Sequence, residues 1–320
     1  MPLLQSSYTH TPFYLFNGHL ETIVPSMFRK IEGTYERERL ELPDGDFLDL
    51  DWMKCKSNKL VIISHGLEGS SERHYSKGTA YYFSQRGWDA VAWNCRGCSG
   101  EMNRLPRFYH HGATEDLAAV IDLAIERNYA HIALVGFSMG GSLSLKYVGE
   151  RKGKLPSQVK SVATFSVPCD LGSSACELDK PNKKFYLNRF LTKLEKKIRA
   201  KSAKFPHLIS VEGFERIKTF RDFDNRYTAP LHGFADADDF YTKASSGPFL
   251  SSIEIPALIV NALNDPFLPE ACYPFDVAKT HPLIHLETPD RGGHVGFSMS
   301  GKSESWMEVR AFEFVNSLHV

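Results

Sequence analysis

The chain has 320 residues, a length that fits one large domain or two small ones, and its 42% apolar content is enough for a sizeable core. Lys+Arg and Asp+Glu are 38 each, so no excess of positive charge is available to hold a nucleic-acid backbone. Residues 1–16 lack a basic start followed by an apolar run, and no stretch approaches the ~20 apolar residues of a membrane span, which predicts a soluble, cytoplasmic protein.

Taken in chain order, the pattern begins with a hairpin. Leu40 and Leu42 alternate with charged residues, Pro43-Asp44-Gly45 forms a turn, and Leu48, Leu50 and Trp52 alternate with aspartates. Strands are predicted at Leu60–Ser64 and Asp89–Asn94, with helical spacing of Tyr75, Thr79, Tyr82 and Phe83 between them. Thr114 is placed to cap the next helix, whose apolar face is Leu117, Val120, Ile121 and Ala124. Further strands are expected at Ile132–Val135, Val159–Ser166, Ala257–Val260 and Leu283–Leu286, and a capping box, Ser305-x-x-Glu308, opens the last helix. Strands alternating with helices imply a mostly parallel sheet covered on both faces. Residues 170–250 break the alternation with two helix-like segments, loops and many aromatics. They read as a cap inserted between a first core segment, 1–169, and a second, 251–320.

The six cysteines at 55, 95, 98, 169, 176 and 272 are sparse, which suits free thiols in a reducing compartment. Cys95-x-x-Cys98 lacks the second pair that a zinc site needs, and neither H-E-x-x-H nor a phosphate-cradling G-x-x-x-x-G-K occurs, so no metal or cofactor is expected.

The chemistry centres on Gly136-Phe137-Ser138-Met139-Gly140, which fits G-x-S-x-G. An apolar strand precedes it and a helix with Leu143, Leu145 and Val148 follows, the setting in which a sharp turn lifts a serine oxygen above a sheet. A serine nucleophile needs a base, and the base an orienting carboxylate, in the chain order Ser, acid, His. Four histidines lie beyond the late strand at 257–260: His281, His285, His294 and His319. His294 follows the last strand in a glycine-rich loop and is the candidate base. Asp265 in Asn264-Asp265-Pro266 is the candidate acid, with Asp170 and Asp290 as rivals. The oxyanion of a tetrahedral intermediate would be met by the N–H of Met139 and by that of Leu67 in His65-Gly66-Leu67-Glu68-Gly69. His65, Gly66 and Phe137 are placed beside the substrate.

These segments resemble the YheT-type hydrolases of the α/β-hydrolase fold, a group related to eukaryotic membrane-associated esterases and phospholipases. The matching stretches include Asn17-Gly18-His19-Leu20, His65 to Ser71, Arg96 to Glu101, Thr114 to Leu117, Tyr227 to Phe234, Asp265-Pro266-Phe267 and Gly292 to Gly296. Glu21 stands where that family has glutamine, and Trp93-Asn94-Cys95 departs from its lead-in to Arg96. The resemblance implies carboxylesterase activity on short acyl chains with Ser138, Asp265 and His294 as triad, and places Cys98 in a loop after a strand.

Within the cap, Leu187, Phe190, Leu191, Leu194 and Ile198 share a helical face among nine lysines and arginines from Lys183 to Lys204. The simple expectation is an apolar face on the domain with lysines in water, and the alternative is weak contact with an anionic membrane surface. Phe185, Phe214, Phe220, Phe223, Phe234, Phe240 and Tyr241 supply cap core and part of an acyl pocket. The leading function is ester hydrolysis on a small-molecule acyl ester through an acyl-enzyme on Ser138. Acyl transfer by the same triad, or ligand binding without catalysis, are the alternatives, and release of free acid without an added acceptor separates them.

Overall fold

The computed structural model describes residues 3–9 and 11–317, so His319 lies outside the described residues. A short strand β1 (Leu3–Leu4) and a helix α1 (Gly18–Phe28) come first. Neither was expected: β1 has two residues, and Pro25 lies inside α1, which interrupts the sequence pattern of a helix. Asn17 starts α1 by accepting the Leu20 N–H at 2.9 Å. The predicted hairpin forms from β2 (Glu36–Glu41) and β3 (Phe47–Met53), with Leu40 opposite Leu48 and Gly45 at φ 84° in the turn.

Beyond it the chain alternates β4 (Lys59–Ser64), α2 (His74–Ser84), β5 (Asp89–Asn94), α3 (Thr114–Glu126), β6 (His131–Phe137), α4 (Met139–Glu150) and β7 (Val159–Phe165). Then come α5 (Leu171–Leu178), α6 (Lys184–Lys204), α7 (Phe220–Phe223), α8 (Ala229–His232) and α9 (Ala237–Ala244), and the sheet resumes with β8 (Ala257–Val260), α10 (Phe275–Thr280), β9 (Ile284–Glu287) and α11 (Trp306–Ser317). Among the described residues the strands form one nine-stranded sheet in the order β1-β9-β8-β7-β6-β4-β5-β3-β2, parallel except where β3 pairs with β5 and with β2.

The sheet's two faces carry separate apolar layers, because side chains along a strand alternate. Leu60 and Ile62 of β4 and Ile132 and Leu134 of β6 join one layer, with Leu117, Ile121, Leu143 and Val148 of α3 and α4. Val61, Ile63, Ala133 and Val135 join the other, with Phe83 of α2 and Trp306, Ala311 and Phe314 of α11. Each fully buried Val, Leu, Ile or Phe among them contributes roughly 1.5–3 kcal/mol relative to exposure. The aspartates of β3 are also buried, so they take partners: Arg39 pairs with Asp49 at 2.9 Å and Arg37 with Asp51 at 2.7 Å.

Two local expectations are corrected. Thr114 is the first helical residue and does not cap α3; its hydroxyl donates to Glu150 instead. The segment between β7 and β8 holds five α-helices, not two; α7 and α8 have four residues each, too short to show a periodicity, and α5 and α9 have only eight. Side chains reveal α7, where Thr219 and Asp222 form a capping box.

Candidate active site

The turn from β6 to α4 lifts Ser138 out of the sheet. Its backbone sits at φ 53°, ψ −119°, and its N–H donates to the Phe165 carbonyl at 2.9 Å. The flanking glycines are required by contact. A Cβ on Gly136 would lie 2.5 Å from the Gly140 oxygen, and one on Gly140 would lie 2.2 Å from the Ser64 oxygen at the end of β4.

The structure brings Ser138, His294 and Asp265 together from three loops. The His294 Nε2 lies 2.9 Å from the Ser138 Oγ, and its Nδ1 lies 2.9 Å and 3.1 Å from the two carboxylate oxygens of Asp265. This bonding makes Nδ1 the protonated nitrogen and leaves Nε2 as acceptor for the serine hydroxyl. His294 and Asp265 are each 6% exposed, while Ser138 is partly open to the cavities. The Phe267 ring stacks on the imidazole at 4.1 Å, and the Phe267 N–H donates to Asp265 at 2.8 Å. The rivals sit elsewhere. Asp170 caps α5 by accepting the Ser173 N–H, Asp290 is exposed, His281 follows α10 and His285 lies on β9 against Phe314.

The base loop is held by residues that the sequence reading did not single out as site residues. Gly292 at φ 143° and Gly293 at φ 57° turn it back over the sheet. Thr22 of α1 accepts the His294 N–H at 2.9 Å, and Ser166 accepts the Val295 N–H at 2.9 Å. Val295 itself is at φ 50°, a costly conformation for a β-branched residue. Glu21, 1% exposed, accepts from the Gly292 N–H at 2.9 Å, from the Asn264 amide at 2.7 Å and from Arg291 at 2.8 Å. One carboxylate thus ties the acid loop to the base loop. The sequence signal was present in the Asn17–Leu20 segment and in the acid standing for glutamine at Glu21.

Gly66 and Leu67 lie next to the nucleophile: a Cβ on Gly66 would sit 3.2 Å from the Ser138 Cβ. Among the described residues, the N–H groups of Leu67 and Met139 have no protein acceptor. The side chains of His65 and Phe137 do not line the two cavities. His65 is 1% exposed; its Nδ1 lies 2.8 Å from the Gly66 oxygen and its Nε2 accepts the Cys95 N–H at 3.1 Å. Phe137 stacks on Phe165 in the core.

The lysines of α6 are likewise not all in water. Lys197 is 6% exposed; it pairs with Glu68 at 2.7 Å and donates to the Cys98 sulfur at 3.3 Å. Burial alone would raise the Glu68 carboxyl, but the Lys197 ammonium and the Tyr109 hydroxyl hold it below its ordinary value. Lys193 donates to the Glu68 backbone oxygen at 3.0 Å, and Lys201, fully buried, donates to the Leu105 oxygen at 2.6 Å. Long stems cross the apolar face and carry the charges to the loops of the sheet.

Two cavities meet at Ser138 and His294, and Leu67, Phe190 and Phe267 also line both. The first is mostly apolar and runs under α5–α9, with Leu171, Ala175, Leu178, Leu194, Phe220, Phe223 and Phe240. A π-helical turn at Asp224–Thr228 adds Asp224, whose carboxyl burial pushes up to about 6. The second is bordered by Thr22, Ser26, Arg73, His74, Arg189 and Lys193. Burial, reinforced by Arg73, pushes the Lys193 amine down to about 8. No group of three or more His, Cys, Asp or Glu among the described residues is placed to hold a metal ion, and no described helix is long and apolar enough to cross a membrane.

The chain is 34% identical over 305 residues to the Escherichia coli K12 protein named "Putative esterase YheT", covering 92% of this chain and 88% of that one. It is 31% identical over 309 residues to human phospholipase ABHD3, covering 92% and 75%, and 26% identical over 331 residues to a Saccharomyces cerevisiae monoacylglycerol lipase, covering 99% and 68%. In fold it is similar to the Pyrococcus furiosus esterase Pf2001, with a TM-score of 0.59, 16% identity and 98% of each chain covered. The family described as alpha/beta hydrolase fold matches residues 59–298. With that span and these relatives, the chain belongs to the α/β-hydrolase fold family, in the branch that includes YheT.

Proposed function

We propose that the protein is a serine carboxylesterase that hydrolyses carboxylic esters through an acyl-enzyme on Ser138. The observation that carries this reading is the single imidazole of His294 bonded at once to the Ser138 Oγ and to Asp265. In the proposed reaction Nε2 takes the serine proton as Oγ adds to the acyl carbon, and Asp265 holds the imidazolium that results. The Leu67 and Met139 N–H groups receive the oxyanion. As the intermediate collapses, the ester C–O bond breaks and Nε2 returns its proton to the departing alkoxide. A water then adds to the acyl carbon with His294 as base, and the acid leaves. The names of the relatives, esterase and lipase, support ester bonds as the target, and the apolar cavity under α5–α9 supports an acyl chain as the part bound there.

Hydrolysis of p-nitrophenyl esters of increasing acyl length by wild type and Ser138→Ala tests the proposal. The expected result is a maximum at one chain length and a loss of at least about 10³-fold in kcat for the variant. Activity that survives in Ser138→Ala removes Ser138 as nucleophile. Release of p-nitrophenol that needs an added alcohol or amine, with a new ester or amide formed in place of free acid, means acyl transfer.

A further inference from the structure

Three cations, Arg73, Arg189 and Lys193, border the second cavity. Arg73, Arg189 and Lys193 make no ion pair among the described residues, and no Asp or Glu lines that cavity. Among the described residues, Arg73 and Lys193 donate near it to the Glu68 backbone oxygen, at 3.3 Å and 3.0 Å. Other less exposed cations are met differently: Arg29 pairs with Glu308, Arg96 with Asp116 and Lys197 with Glu68, while Lys201 is met by backbone oxygens. A second observation points the same way. His74 lines this cavity, is 7% exposed, and its Nδ1 has no hydrogen-bond partner. A buried polar atom without a partner costs about 1–3 kcal/mol, which a bound ligand would offset. Both cavities open onto Ser138 and His294, so an ester spanning them would put its acyl chain in the apolar one and its alcohol in the other.

We infer that the second cavity is the leaving-group subsite and takes an alcohol that carries an anionic group, a phosphate or a carboxylate, held by Arg73, Arg189 and Lys193. This rests on Ser138 acting as proposed above. The anionic alcohol departs with the proton from His294 Nε2, and the acyl group stays on Oγ.

The test compares kcat/KM for the butyrate esters of glycerol, glycerol 3-phosphate and glyceric acid, which share the acyl group and a three-carbon alcohol backbone. At least one charged ester is expected to exceed the neutral one by about tenfold or more, the scale of a charged hydrogen bond. The two charged esters separate phosphate from carboxylate. In Arg189→Glu, and separately in Arg73→Gln, that ratio is expected to fall about tenfold. A ratio measured on one preparation is unaffected by any misfolded fraction. A neutral ester turned over as well as both charged ones, or a ratio that neither variant moves, overturns the inference and leaves the esterase reading intact. If wild type hydrolyses none of the three, the p-nitrophenyl series decides the esterase reading, and titration calorimetry with glycerol 3-phosphate decides the anion site. Binding that Arg189→Glu abolishes supports it, and no binding overturns it.

Discussion

At Ser138 the backbone is held at φ 53°, and Ser166 and Val295 beside it also have positive φ, at 55° and 50°. Strain of this kind persists only where surrounding bonds over-determine it, and here Ser166 Oγ accepts the Val295 N–H. The same precision shows in Asp265, both of whose oxygens face Nδ1 of His294. Asp265→Asn keeps the shape but favours the wrong imidazole tautomer, so kcat is expected to fall about 10⁴-fold with the fold intact by circular dichroism. Asp224 makes a different prediction. Burial holds its carboxyl protonated up to about pH 6, against 3.8 when free, so between these values the folded state binds more protons than the unfolded chain. Its contribution to stability is present at low pH and is lost as pH rises through about 6. Asp224→Asn removes that penalty, and urea unfolding should show the variant gaining up to about 3 kcal/mol on wild type from about pH 4 to 7. A difference that does not change with pH rules this out.

Among the elements, α6 has the most to do beyond packing. Leu187, Leu191, Leu194 and Ile198 are buried, as the helical spacing predicts. Lys197 and Lys201 are buried too, because each finds an oxygen of a sheet loop within reach. A pattern of lysines between leucines does not tell a solvated face from one whose charges have partners elsewhere in the chain. The Lys197–Glu68 pair fixes the residue after Leu67, so α6 steadies the loop proposed to supply an oxyanion donor. Lys197→Met leaves the Glu68 charge buried without its cation, and unfolding measurements should show a loss of about 3–5 kcal/mol. Adding Glu68→Gln should recover much of it; a double variant no better than the single one argues that the loss is packing. The helix α1 plays a comparable part through Glu21 and Thr22. A Cβ on Gly18 would lie 2.0 Å from the Asn264 oxygen, which shows how closely α1 approaches the acid loop.

On the scale of the whole molecule, the apolar cavity exists only because α5–α9 close over the sheet between β7 and β8. Its walls come from distant parts of the chain: Leu67 and Phe108 from one side, Ala175, Leu194 and Phe240 from the other. Ala175→Phe fills part of that space. The longest ester that wild type accepts should lose about tenfold or more in kcat/KM while the shortest is spared, since each methylene in an apolar pocket is worth about 1–3 kcal/mol. Equal losses at every chain length would place the acyl group elsewhere.

The sequence by itself determined the strands, whose apolar runs matched to within a residue or two at β4, β5, β7 and β8. It also determined the residues that meet at Ser138, because a G-x-S-x-G turn after a strand, an Asn-Asp-Pro loop and a Gly-Gly-His loop are local patterns with local physical causes. Tertiary structure decided what depends on partners far apart in the chain. Glu21 bonds to Gly292 across 271 positions and Lys197 to Glu68 across 129. Whether an acid or a lysine is buried turns on such a partner, and residue spacing carries no record of it. The same holds for His65 and Phe137. Their place next to the elbow is local, but only packing turned His65 onto backbone groups and Phe137 into the core.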